Sequence, residues 1–254
     1  MRRSPVIDDV TITAVRAPSG MMVPRLELLL SIIVPVYNER ATIGAVLERL
    51  LSIDLPIPRE IIAVNDGSAD GTAEELDAAA ARSPLITAVH LAQNGGKGLA
   101  LRTGFARTKG TIVAIQDADL ELDPAQLATL VQPVLRNEAD VVYGSRFMSG
   151  ASHVPFMTRV GNRSLTMLTN ALYGASFTDM ETCYKIMRGD LARNLPLTAN
   201  RFDIEPEITV QLLKSGARIM ELPVAFSPRS KAAGKKIRWR DGWHAVRLLV
   251  SHRF

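Results

Sequence analysis

Two aspartates one residue apart, Asp117 and Asp119, follow the apolar run Thr111-Ile-Val-Ala-Ile115. In extended backbone, positions i and i+2 face the same side, so this spacing lets both carboxylates approach one cation. Hard oxygen donors of this kind select Mg2+ or Mn2+, which keep coordination positions open for phosphate oxygens. Glu121 continues the spacing as a third ligand, whereas Asp123 before Pro124 reads as the cap of a following helix, with Gln126 as its box partner. Four more polar clusters end apolar runs in the same way: Pro35-Val-Tyr37-Asn-Glu39, Asn65-Asp66-Gly67-Ser68, Gly95-Gly96-Lys97-Gly98 and Gly144-Ser-Arg146.

The elements that must carry these clusters are legible from periodicity. Short β-branched runs near 28–34, 60–64, 85–91, 111–115 and 140–143 read as strands buried on both faces. Between them lie helical patterns: Thr42 to Leu51 with Ile43, Val46, Leu47 and Leu50 apolar, a helix opened at Thr72 by a capping box with Glu75, and one after Gly98. Beyond Gly150 helices are expected near 158–172 and 203–215, and strands near 183–187 and 218–226. Strands alternating with helices predict an α/β fold: a doubly wound, mainly parallel sheet with helices on both faces. In such sheets ligands bind at the carboxyl ends of the strands, where all five polar clusters fall.

Several ligand classes are excluded. A dinucleotide fingerprint belongs after the first strand, where this chain has Tyr-Asn-Glu. The P-loop is absent, because Lys97 precedes glycine rather than Ser or Thr and position 92 is Ala. The lone Cys183 excludes an internal disulfide and reads as core. His90, His153, His244 and His252 show no metal spacing.

The ordered set of motifs resembles the family 2 glycosyltransferases of the GT-A fold, in particular the polyprenyl-phosphate hexosyltransferase branch (dolichol-phosphate mannose synthase-like). The matching segments are Ile33-Val-Pro-Val-Tyr-Asn-Glu39, Asn65-Asp-Gly-Ser-Ala-Asp-Gly-Thr72, Asn94-Gly-Gly-Lys-Gly98, Gln116-Asp-Ala-Asp-Leu-Glu121 and Gly144-Ser-Arg146. Arg201-Phe-Asp-Ile-Glu-Pro-Glu207 and Glu221-Leu-Pro-Val-Ala-Phe-Ser-Pro-Arg229 match as well. The resemblance implies an inverting transferase that moves a hexose, glucose or mannose, from a UDP- or GDP-sugar to a polyprenyl phosphate. It implies that Pro35, Tyr37, Glu39 and Asp66 hold the nucleoside, that Gly96 and Lys97 lie near the donor, and that Asp117, Asp119 and Glu121 hold the metal. Arg146, Arg159 and Arg229 would face the acceptor phosphate, with Arg163 a neighbour of Arg159. Asn65 departs from a frequent aspartate, and Glu121 from a frequent glutamine.

A phosphate acceptor is already an anion and needs arginines that grip it without protonating it. The alternative, a family 2 enzyme acting on a saccharide hydroxyl in cell-envelope polysaccharide synthesis, needs a general base, for which Asp179, Glu205 and Glu207 are candidates. An inactive nucleotide-sugar sensor is disfavoured by the intact acidic pair, and a nucleic-acid binder by the acidic body.

The net charge of +4 is unevenly placed. Residues 229–253 carry eight basic side chains and one acid, whereas residues 26–228 carry 18 basic against 23 acidic, a net of −5. The sequence divides into an irregular N-terminal lead (1–27), a catalytic domain (28–228) and a basic, Trp-containing C-terminal segment (229–254). That segment, with Val246, Leu249 and Val250 on one side, is expected to lie on anionic lipid. No run of about 18 apolar residues is present, so the expected location is cytoplasmic, peripheral on the cytoplasmic face of the membrane.

Overall fold

The structure, a computed structural model, describes residues 28–148, 154–228 and 239–253. The expected lead 1–27, Arg229 and the basic stretch 230–238 lie outside the described residues. Strands β1 (Leu30–Val36), β2 (Arg59–Asn65), β3 (Ile86–His90), β4 (Ile112–Ile115), β5 (Val141–Ser145), β6 (Lys185–Arg188) and β7 (Ile219–Pro223) form one sheet in the order β3-β2-β1-β4-β6-β5-β7. The first four pair in parallel, as does β5 with β7. β6 runs antiparallel to both β4 and β5, and so closes the gap between the two parallel groups. The expected α/β class and mainly parallel sheet are present; the antiparallel insertion left no periodic signature in the sequence.

The helices among the described residues are α1 (Arg40–Ser52), α2 (Thr72–Arg82), α3 (Lys97–Phe105), α4 (Leu127–Leu130), α5 (Gln132–Leu135), α6 (Phe156–Tyr173), α7 (Gly189–Asn194), α8 (Ile204–Lys214) and α9 (Trp239–Ser251). Ile43, Val46, Leu47 and Leu50 of α1 are buried, as their spacing requires. They join Leu30, Ile32 and Val34 in the core on one sheet face. Ile33, Val113, Val141 and Tyr143 pack with Leu101, Ile204 and Ile208 on the other. Each β1 residue therefore alternates between two apolar layers, which is why this strand reads as a continuous hydrophobic run.

Pro35 sits inside a central strand, where a missing N–H normally breaks a ladder. The β1–β4 pairing ends at Ile33 opposite Ile115, so Pro35 lies past the last β4 partner. The β1–β4 ladder stops there, below the polar clusters at the carboxyl ends of both strands.

Two expected caps differ. Thr72 does not form a capping box: its N–H and hydroxyl both meet the Asp70 carboxylate, and Gly71 (φ +91°) is the cap residue. Asp123 caps as expected, accepting from Ala125 N–H, but Gln126 turns away and pairs with both backbone polar groups of Ala225. That contact ties the loop after β4 to the segment after β7.

Candidate active site

The strand ends deliver the polar clusters to one rim. At the β1 end, Tyr37 is partly exposed and Glu39 is buried at the head of α1. Glu39 Oε2 lies 2.9 Å from the Thr42 hydroxyl, which lies 2.7 Å from the Ala118 carbonyl oxygen. The loop after β1 is thus stitched to the acidic loop. At the β2 end, Asn65 Oδ1 accepts from Ser68 N–H and Asn65 Nδ2 is 3.1 Å from His90 Nδ1, so this amide shapes its own turn.

Asp66 holds the glycine loop rather than an open space. Its two carboxylate oxygens accept from Gly95 N–H (2.7 Å) and Gly96 N–H (2.8 Å). These two amides are therefore engaged by the Asp66 carboxylate. Gly96 has φ +97°, and a Cβ there would stand 2.4 Å from the Asn200 carbonyl oxygen. The loop 195–203 packs so closely on the glycine loop because Glu207, fully buried, anchors it through Thr198 N–H, the Thr198 hydroxyl and Ala199 N–H.

Lys97, the first residue of α3, places Nζ 2.8 Å from Asp117 Oδ1 and 3.0 Å from Glu205 Oε1. Burial alone would favour the neutral amine, but the two carboxylates outweigh it and raise the Lys97 pKa well above its usual range. Burial would likewise raise Asp117, yet Lys97 and a hydrogen bond from the Cys183 thiol hold it below the usual carboxylate range. Cys183 is thus a partner of the acidic loop as well as a core residue, a role its apolar neighbours hid.

The backbone after Asp117 is not extended as expected. It turns at Ala118–Asp119, Leu120 adopts φ +60°, and Asp119 Oδ1 accepts from Glu121 N–H at 3.1 Å. Gln116, buried beneath, donates to the Leu122 carbonyl and accepts from the Tyr184 hydroxyl, which fixes the loop. Among the described residues no three carboxylate, imidazole or thiol side chains close on one point. Asp117, Asp119 and Glu121 nonetheless bring only oxygen donors, and Asp117 keeps a quarter of its side chain exposed. This open donor set fits a hard divalent cation that takes remaining ligands from phosphate.

Arg146 follows β5. Its Nε and Nη2 form a fork on Asp179, which is fully buried, and its own N–H joins the same carboxylate. Asp179 is in turn oriented by Glu221, which accepts from the backbone N–H of Thr178 and of Asp179. The expected bidentate grip of Arg146 on a phosphate is therefore occupied by Asp179, leaving Nη1. The guanidinium lies over the rings of Phe147 and Phe226, and Arg163 approaches Phe147 from elsewhere, so Arg163 is brought towards Arg146. Arg159 instead bends back to the Val154 carbonyl. The three candidate bases are all engaged: Asp179 by Arg146, Glu207 by the 198–199 backbone, and Glu205 by Lys97 and Lys185. Glu181 and Lys185, which the motifs did not single out, join this cluster.

The sheet, with a carboxylate loop, a lysine and a pinned arginine at its strand ends, is that of the GT-A glycosyltransferase fold. The glycosyl transferase family 2 signature matches residues 31–195, and the chain belongs to that family. An undecaprenyl-phosphate mannosyltransferase of Micrococcus luteus is 30% identical over 214 residues, covering 80% of this chain and 85% of that protein. A dodecaprenyl-phosphate galacturonate synthase of Rhizobium johnstonii is 26% identical over 226 residues, covering 88% of this chain and 66% of that protein. The glucosyl-3-phosphoglycerate synthase of Mycobacterium tuberculosis, solved with Mn2+, UDP and glucosyl-3-phosphoglycerate, superposes with a TM-score of 0.66 at 21% identity, over 89% of this chain and 80% of that one.

Proposed function

We propose that this chain is an inverting, metal-dependent hexosyltransferase that takes glucose or mannose from a UDP- or GDP-sugar and transfers it to a polyprenyl phosphate at a membrane surface. The observation that carries the acceptor is the state of the three carboxylates that the sequence offers as bases. Asp179, Glu205 and Glu207 are each engaged by cations or backbone amides, so none stands ready to deprotonate a sugar hydroxyl. An acceptor that arrives as an anion needs no such base. The names of the two relatives, each a polyprenyl-phosphate sugar transferase, point the same way.

In this reading Pro35, Tyr37 and Glu39 line the nucleoside. Asp66 and Gly96 act together, the carboxylate holding the loop in the shape that lets Lys97 reach the crevice. Asp117 and Asp119, with Glu121, are the residues that would hold Mg2+ or Mn2+. When bound, such an ion neutralises charge on the departing nucleotide diphosphate. Lys97 sits where the same charge develops, and Asp117 and Glu205 keep it protonated. Arg146, steadied by Asp179, presents Nη1 to the acceptor phosphate, with Arg159, Arg163 and Arg229 as further cations.

Membrane contact belongs to the same reading. No helix among the described residues is long and apolar enough to cross a bilayer. One side of α6 exposes Phe156, Met157, Val160 and Met167, and Trp243 of the neighbouring α9 is exposed as well. Aromatic and aliphatic side chains beside Arg159 and Arg163 suit the interface of an anionic leaflet.

The test is incubation with UDP- and GDP-hexoses and a polyprenyl phosphate, scoring nucleotide release and glycolipid. Sugar transferred only to saccharide acceptors would overturn the acceptor. Asp119→Asn should abolish turnover and metal-dependent donor binding; full activity of that variant in EDTA would end the metal argument.

A further inference from the structure

Around the pinned arginine the ionisable side chains fall into pairs. Arg146 meets Asp179, Lys97 meets Asp117, and Glu205 bridges Lys97 and Lys185. Glu181 stands between these pairs and belongs to none. Its Oε1 is buried with no hydrogen-bond partner, a costly state for an ionised oxygen and a tolerable one for a neutral carboxyl. Its position is fixed from both sides: Asp179 two residues earlier is clamped by Arg146 and Glu221, and the Thr182 hydroxyl next to it donates to the Gly144 carbonyl at the end of β5. Glu181 thus shares the arginine end of the crevice, where the acceptor phosphate is placed under the function proposed above, on which this inference rests.

We propose that Glu181 is a positioning residue that carries a proton when the acceptor binds, so that an anionic acceptor meets a neutral rather than a negative side chain, and that acceptor affinity is thereby linked to pH. The charges facing Glu181 are Glu205 and Asp179, which repel its carboxylate, and Lys185 and Arg146, which attract it. Burial comes first and, with the repulsion from Glu205, pushes the group up to about 7 against the pull of Lys185 and Arg146. An incoming phosphate adds negative charge and raises it further. Where Glu181 is ionised before the acceptor arrives, it takes one proton from solvent as the acceptor binds. The product is a phosphodiester with one charge fewer than the dianionic acceptor, which eases return of that proton. The sign follows: below neutrality the carboxyl is already protonated and binding is tight, and above it each pH unit weakens acceptor binding up to about tenfold.

The experiment measures the acceptor KM of the full chain with a short polyprenyl phosphate in detergent micelles, between pH 6 and pH 8. The wild-type KM should rise by about tenfold over this range. E181Q, the uncharged isostere, should show a KM that stays nearly level and falls below the wild-type value at pH 8. The acceptor's own ionisation is common to both proteins and cancels in the comparison. Parallel pH profiles would overturn the proposal. So would a hundredfold loss of kcat in E181Q at every pH with donor affinity intact, which would make Glu181 a general base. If the wild type forms no glycolipid at any pH, the acceptor reading fails separately, and Glu181 is then read directly by infrared spectroscopy. The protonated-carboxyl band should disappear between pH 6 and 8 in the wild type, because lysines hold Asp117 and Glu205 below the usual range. A cluster with no protonated carboxyl already at pH 6 would overturn the proposal without reference to turnover.

Discussion

Lys185 has no exposed surface, yet it sits at the root of the site. Its ammonium donates to the Met180 and Thr182 carbonyls and to Glu205 Oε2 at 2.5 Å, and it stands 4.8 Å from the centre of the Tyr143 ring. Removing Lys185 leaves Glu205 with Lys97 alone and takes the hydrogen bond from its buried Oε2, which costs roughly 1–3 kcal/mol. Lys185→Met should therefore lower the melting temperature sharply, and adding Glu205→Gln should restore part of the loss, as thermal unfolding of the three proteins would show. Asp179→Asn acts on chemistry instead. It weakens the fork that aims Arg146, so acceptor kcat/KM should fall by about 100-fold while donor affinity holds; equal loss of both would remove the assigned role. At this scale the sequence revealed which residues carry charge but not their partners. Asp179 and Glu207 looked like possible bases because a sequence shows a carboxylate without the arginine or backbone amides that occupy it. The hold of Asp66 on the glycine loop was hidden because that loop lies 29 residues further along the chain.

The elements were legible wherever local periodicity decides them. The buried face of α1 and the first five strands follow from apolar spacing alone. β6 did not show its direction, because an antiparallel strand between parallel ones is set by the chain's return path through α6 and not by its own four residues. The C-terminal helix also differs from expectation. Its apolar spacing predicts a lipid-facing side, but Ala245 and Leu249 are buried against α6 and α8, and the Leu249 carbonyl accepts from the Tyr173 hydroxyl. Among the described apolar side chains of α9, Trp243 and Val250 are exposed, while α6 supplies the larger apolar stripe. Replacing Phe156, Met157 and Met167 together with serine should therefore reduce co-sedimentation with anionic liposomes with little change in melting temperature, because these side chains touch solvent rather than core. Leu249→Ala should do the reverse, costing about 2–5 kcal/mol in stability.

Across the whole molecule, charge is arranged at two ends of the sheet. At the end away from the crevice, Arg218 forks onto Asp140 and also meets the Asn137 carbonyl, joining the start of β5 to the start of β7. The hydrogen bonds from Arg218 hold Asp140 down to about 2, with burial working against them. A depressed carboxylate contributes stability that is present above its unfolded value, near 3.9, and is lost as pH falls through the folded one. Asp140→Asn should accordingly lower the melting temperature by about 2 °C near neutrality, since Arg218 is open to solvent. The gap between variant and wild type should narrow below about pH 4 and close near pH 2; a gap that persists there would mean the pair acts by packing instead.

The insertion of β6 has a consequence for synthesis. β4 and β5 do not pair with each other; each pairs with the same late strand, which leaves the ribosome some forty residues after β5. Until then the nascent chain holds the open edge of β4 and both edges of β5, with valines in each strand. Fragments that stop short of Lys185 should be recovered as aggregates, whereas those that pass Arg188 and carry the following helices should yield dispersed protein.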